Sequence, residues 1–161
     1  MRTRLAFVAI TVLGGVAAFL LTPTLFPTNP NVVPPGPELI PYFLILSIVE
    51  SLFFGVGLAF LALGLPLMRR VARISGTSAW PPFLAIGYLT ASWWPHLGMH
   101  GVAGMDMDKL ILVDYGFHLP YILSAGVVAY FFFRTLQASV RAARPASAHR
   151  SVPKPAISPA A

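Results

Sequence analysis

The sequence predicts an all-α membrane protein, a transmembrane bundle of four helices that run alternately up and down. Two observations lead to this fold class. Hydrophobic residues make up 57% of the 161 residues and charged residues only 10%, whereas soluble domains average about 25% charged residues. In addition, four apolar runs approach or exceed the roughly 20 helical residues that cross a bilayer.

The predicted spans follow one another along the chain and are separated by short polar or proline-rich segments. They cover residues 5–22, 39–68, 80–99 and 110–133. The first has the charged start and apolar middle of a signal peptide, but no small-x-small cleavage site follows it. We therefore interpret it as a retained helix, with cleavage as the alternative. Pro120 predicts a kink in the fourth span.

The chain divides into two parts by composition. Residues 1–136 contain the four predicted spans. Residues 137–161 are rich in Ala, Ser, Pro and Arg, a composition typical of a disordered tail. Six prolines between residues 22 and 38 predict an extended loop after the first span.

Basic residues predict the orientation in the membrane. Ten of the eleven Lys and Arg residues lie before the first span, after the second or after the fourth, and such segments stay on the cytoplasmic side. Both termini are therefore predicted to be cytoplasmic, in a multi-pass protein of a cytoplasmic (inner) membrane. The same distribution excludes nucleic acid as a partner, because the +6 net charge forms no single patch. The predicted partners are the lipid bilayer and either other membrane subunits or further copies of the chain.

Ionisable residues concentrate where the third span ends and the fourth begins. His96 and His100 are four residues apart, as are Asp114 and His118, so each pair shares one helix face. Consecutive antiparallel helices allow the two pairs to face each other. From the helical rise, His96 and Asp114 are expected at one depth and His118 one turn deeper. Glu50 of the second span is expected near the depth of His118.

Imidazole and carboxylate donors suit zinc, copper and iron. The predicted direct metal ligands are His96, His100, Asp114 and His118. The predicted ion-capturing thioethers are Met99, Met105 and Met107. Because thioethers favour Cu(I), copper is the first choice of metal, with zinc and iron as alternatives. Glu50 is predicted to support the site as the hydrogen-bond partner of His118.

The Asp114-x-x-x-His118 pair resembles the copper-site helix in the membrane subunits of particulate methane and ammonia monooxygenases. That pattern adds a further histidine after the pair, and none follows here within the helix. Because the likeness covers a handful of residues, no family is assigned on it. A b-type haem between His118 and either His96 or His100 is an alternative in a bundle of this size, although the offset of one turn or more opposes it.

Several functional classes stay open at the level of sequence. The first is a metal-handling protein or a subunit of a redox complex. The second is an accessory membrane subunit whose polar residues only join helices. The third is a proton path through Asp114, His118 and Glu50, although no ionisable residue continues it to the cytoplasmic side. The sequence contains no HExxH motif, and its small soluble portion argues against a self-sufficient enzyme.

Overall fold

The computed structural model describes residues 2–143, in which the ordered secondary structure is entirely helical. The helices are α1 (Arg2–Leu25), α2 (Ile40–Leu63), α3 (Leu65–Ser75), α4 (Trp80–Ala91), α5 (Trp93–Ala103) and α6 (Met107–Ala143), with a short 3₁₀ turn at Pro37–Leu39. The helices long and apolar enough to cross a membrane are Arg2–Leu25, Pro37–Leu63 and Met107–Ala143. The all-α class is confirmed, whereas the four-span topology remains a prediction.

The predicted second span divides into two helices. Helix α2 ends at Leu63, where the Gly64 amide donates the last hydrogen bond to the Phe60 carbonyl at 2.7 Å. Pro66 lacks the amide hydrogen that would continue the ladder, but a proline fits the first turn of a new helix. Helix α3 therefore begins at Leu65 and ends at Ser75, and the next residue, Gly76, has a left-handed φ of 64°.

The predicted third span, residues 80–99, is divided between two helices. Helix α4 stops at Ala91 and α5 begins at Trp93. Pro95 has no amide hydrogen to bond to the Ala91 carbonyl, and the Ser92 hydroxyl donates instead to the Tyr88 carbonyl within α4. The two helices contain 12 and 11 residues, so each alone is shorter than the roughly 20 residues of a span.

Helix α6 is longer than predicted. It runs for 37 residues from Met107 to Ala143 and contains Pro120 without interruption. Residues 137–143, which the composition places in a disordered tail, are helical. Residues 144–161 of the predicted tail lie outside the described part of the chain.

Gly55 allows a close contact between α1 and α2. A Cβ atom on Gly55 of α2 would overlap the carbonyl oxygen of Thr11 and lie 2.8 Å from the amide nitrogen of Gly15, both in α1. Backbones approach this closely only where side chains are absent. Helix α2 also packs against α4 and α5, and α6 packs against α3, α4 and α5. Helix α5, which carries His96 and His100, therefore contacts both α2 and α6.

The proline-rich loop is fastened to α5. The Asn29 amide donates to the Gly101 carbonyl at 3.3 Å, and the Asn29 side chain donates to the Val102 carbonyl at 3.4 Å. The Phe26 ring lies against Trp94, with ring centroids 5.2 Å apart. The loop therefore closes one end of the bundle next to the histidines.

Candidate metal centre

Three predicted ligands come together where α5 meets α6. The Nε2 atoms of His96 and His100 lie 3.0 Å apart, and Asp114 Oδ1 lies 3.5 Å from His100 Nε2. Each of these residues offers one ligand atom, and the three atoms lie within 4.8 Å of one another. The cluster can therefore accept a metal ion, as the spacing of the two residue pairs predicts.

His118 stands at the edge of this cluster. Its Nδ1 atom lies 3.5 Å from Asp114 Oδ1, and its ring centroid is 5.0 Å from that of His96. One carboxylate oxygen of Asp114 thus faces two imidazoles, one from each helix. The side chains of His100, Asp114 and His118 are 31%, 47% and 51% exposed, so an ion from outside the protein has access to them.

The spacing of the donor atoms suits tetrahedral coordination. With metal–nitrogen bonds of 2.0–2.1 Å, neighbouring ligand atoms of a tetrahedral site lie about 3.4 Å apart. The adjacent donor pairs in the cluster are separated by 3.0, 3.5 and 3.5 Å. These three separations are close to that value, and His118 must move toward the group of His96, His100 and Asp114 to complete a shell of four ligands.

Aromatic rings form the inner wall of the cluster. The His96 ring centroid lies 5.0 Å from Phe117 and 5.6 Å from Tyr121, and Tyr121 also lies 6.3 Å from His118. These contacts limit the orientations of both imidazoles. Tyr121 is not among the site residues predicted from the sequence. It lies seven residues after Asp114, two helical turns further along the same face, and this spacing is the sequence feature that could have identified it.

The three methionines are exposed and lie along the connection between the two helices. Met99 is in α5, Met105 in the turn and Met107 at the start of α6. Their exposed fractions are 39%, 81% and 63%. Their role in capturing ions remains a prediction.

Glu50 lies apart from His118. Within residues 2–143 no hydrogen bond joins them; His118 faces Asp114 instead. Glu50 lines a cavity between α1, α2 and α5 that also involves Trp94, and its Oε2 atom is buried without a hydrogen-bond partner. Hydropathy predicts the depth of a residue in a span but not the side of the helix on which it lies. The partnership of Glu50 with His118 therefore has no support in the structure.

Lys109, the basic residue nearest the cluster along the chain, forms an ion pair with Asp106 in the turn before α6. Lys109 Nζ lies 2.9 Å from Asp106 Oδ2, and the Lys109 amide donates to the same carboxylate at 3.3 Å. These hydrogen bonds lower the pKa of Asp106 and cap the start of α6. Asp106 is therefore occupied in the turn and is not a member of the histidine cluster.

The arrangement favours a bare ion over haem. A haem requires its axial imidazoles on opposite faces of a wide macrocycle. The rings of His96 and His118 touch in a T-shaped contact at 5.0 Å, which leaves no gap for a porphyrin between them.

No protein-family model, curated protein or solved structure matches the chain. A function for this protein therefore has to be inferred from the geometry of the site.

Proposed function

We propose that this protein binds one transition-metal ion, copper in first place, at the cluster of His96, His100, Asp114 and His118. It acts as a metal-handling protein or as the metal-binding subunit of a redox complex. The observation that carries the proposal is the convergence of three ligand atoms within 4.8 Å. His118, 3.5 Å from Asp114, supplies a fourth ligand.

Copper is favoured on the chemistry of the donors. Among divalent first-row ions, sites of nitrogen and oxygen donors bind Cu²⁺ most tightly. Exposed thioethers at Met99, Met105 and Met107 favour Cu(I), so they suit ions in the reduced state that approach the cluster. Zinc and iron accept the same imidazole and carboxylate ligands, and a metal titration separates the three.

The exposure of the ligands suits exchange of the ion. An ion that is exchanged must reach its ligands from outside the protein. Here Asp114 and His118 are about half exposed, while Phe117 and Tyr121 cover the His96 ring. An ion can therefore enter the cluster from one side, while the other side is apolar. Transfer of an ion to or from a partner requires such an arrangement.

We propose further that α4 and α5 together form the third of four crossings. Residues 80–103 would extend about 36 Å at the helical rise of 1.5 Å per residue, enough for a hydrocarbon core of about 30 Å. The protein would then lie in a cytoplasmic (inner) membrane with both termini inside and the metal cluster outside. Its partners would be lipid and either other membrane subunits or further copies of the chain.

A second candidate function rests on the contact of His100 with Asp114, which joins α5 to α6 at 3.5 Å. In that case the protein is an accessory membrane subunit, and the polar side chains only connect helices. The two functions differ in what single substitutions do. Metal ligands act as a set, whereas connecting residues contribute to stability one at a time.

The test is a copper titration of the detergent-purified full chain against a competing chelator. We expect His96→Ala and His118→Ala each to weaken copper binding by at least about tenfold, since even outer partners of metal ligands contribute 10–100-fold. The melting temperature of the metal-free protein should change little. Asp108→Asn, at an exposed acid in the first turn of α6, is the matched control. Unchanged copper affinity in both variants, together with a lower melting temperature for His100→Ala, whose contact with Asp114 joins α5 to α6, would support the accessory subunit instead.

A further inference from the structure

A second polar site lies on the side of α5 that faces α1 and α2. A partly open cavity of about 130 Å³ is lined there by the three helices and the start of the proline-rich loop. This volume is several times the roughly 30 Å³ that one water molecule takes up in the liquid. The lining residues that matter are Thr22, Phe26, Ser47, Glu50, Ser51 and Trp94. We call this cavity the Glu50 pocket.

Two polar atoms of the pocket are left without partners by the protein. Glu50 Oε2 and Ser51 Oγ are both buried and form no hydrogen bond with any residue among 2–143. Buried polar atoms are almost always paired, and leaving one without a partner is costly, although the Glu50 side chain as a whole is only half-buried. Two such atoms on adjacent residues of one cavity indicate a ligand that the chain itself does not provide.

The walls of the pocket are held in fixed positions. Trp94 Nε1 donates to Thr22 Oγ1 at 2.8 Å, and Thr22 Oγ1 donates to the Ala18 carbonyl at 2.9 Å. Phe26 packs over Gly98, where a Cβ atom would overlap its ring. The pocket is therefore preorganised, which lowers the entropic cost of binding.

The donors of the pocket are oxygen atoms. Ser47, Glu50 and Ser51 occupy positions i, i+3 and i+4 of α2 and so share one face. Carboxylate and hydroxyl oxygens suit hard cations, whereas the imidazoles of the metal cluster suit transition metals.

Charge balance identifies the class of cation. Glu50 is the only ionisable side chain among the residues that line the pocket, so the pocket can supply at most one negative charge. A monovalent cation neutralises that charge, whereas a divalent cation would leave a net positive charge in an apolar bundle, which is strongly disfavoured. We propose that the Glu50 pocket binds one monovalent alkali cation, with Glu50 as the counter-charge and the hydroxyls of Ser47 and Ser51 as further ligands.

The test measures thermal unfolding of the full chain in detergent. Sodium chloride replaces choline chloride at constant ionic strength, and the series is repeated with potassium chloride. We expect a saturable rise in melting temperature with at least one ion, about 5–10 °C at a hundredfold excess of cation over its Kd. Glu50→Gln should remove this rise. Glu38→Gln, at an exposed acid in the loop before α2, should retain it.

Two further measurements separate this proposal from the transition-metal site. His118→Ala should keep the alkali-cation response, and Glu50→Gln should keep its affinity for copper. Ser51→Ala leaves the carboxylate in place and should weaken the cation response, so it serves if Glu50→Gln does not fold. A wild-type melting temperature that is the same in choline, sodium and potassium would overturn the proposal. So would a rise that persists in Glu50→Gln, because the cation would then bind elsewhere.

Discussion

At the scale of single residues, Asp114 is the centre of the metal cluster. Its Oδ1 atom lies 3.5 Å from His100 Nε2 and 3.5 Å from His118 Nδ1. It is also the only carboxylate of the proposed ligand set, so it alone offsets the charge of a bound cation. Its negative charge should therefore contribute more to metal affinity than its shape.

The change that tests this is Asp114→Asn, which keeps the shape and removes the charge. We expect copper affinity to fall by about 100-fold or more, above the 10–100-fold range for outer partners of metal ligands. Chelator competition measures the affinity. Asp108→Asn, six residues earlier on α6, should stay within a factor of two or three of the wild-type affinity, roughly the context dependence of a surface charge. Equal affinities for the two variants would exclude Asp114 as a ligand.

The metal ligands could be predicted from the sequence, but the residues that surround them could not. His96 with His100 and Asp114 with His118 are pairs whose spacing alone places each on one face. The position of Glu50 depends on how α2 is rotated about its axis, and the contact between Gly55 and Thr11 sets that rotation. Such a contact joins distant segments and has no local signature.

At the scale of helices, the close approach of α1 and α2 depends on Gly55. A methyl group there would overlap the Thr11 carbonyl oxygen, and backbone on both sides leaves no flexible side chain to move. The helices would have to separate, which shifts every contact between them.

We expect Gly55→Ala to lower the free energy of unfolding by about 1–3 kcal/mol, the usual cost of overpacking. Gly126→Ala is the matched control, because nothing lies within 4 Å of a Cβ atom at that helical position. It should leave stability unchanged or raise it by up to about 1 kcal/mol through helix propensity. Thermal unfolding in detergent measures both variants. A Gly55→Ala protein as stable as Gly126→Ala would contradict the tight contact.

Hydropathy predicts the apolar helices but not the breaks within them. The apolar runs gave correct locations for α1, α2 and α6, because length and composition set these helices. The breaks at Gly64 and Ser92 occur inside apolar runs, each within three residues of a proline. A proline inside a helix is compatible with either a break or continuity, as Pro120 in the uninterrupted α6 demonstrates.

At the scale of the whole molecule, charge is divided between the two ends of the bundle. Within the described residues, the arginines lie at the start of α1, along α3 and on the last part of α6, at Arg2, Arg4, Arg69, Arg70, Arg73, Arg134 and Arg141. All five carboxylates of the chain lie elsewhere, at Glu38, Glu50, Asp106, Asp108 and Asp114. This division predicts that the arginine-rich end faces the cytoplasm.

Cysteine labelling tests this orientation, since the chain contains no cysteine of its own. Met105→Cys places a thiol in the turn beside the metal cluster, at a position that is 81% exposed. Ser78→Cys places one in the exposed turn between α3 and α4. In intact cells a membrane-impermeant maleimide should label only Met105→Cys, and Ser78→Cys should react after permeabilisation. The reverse pattern would invert the proposed topology.

We propose that the cluster between α5 and α6 binds a transition metal. The most direct measurement is elemental analysis, by mass spectrometry, of the full chain purified in detergent without chelators, beside a variant carrying both His100→Ala and Asp114→Asn. We expect close to one copper ion per chain in the wild type and none in the variant. Absence of copper, zinc and iron from the wild-type protein, even after reconstitution with each ion, would contradict the claim.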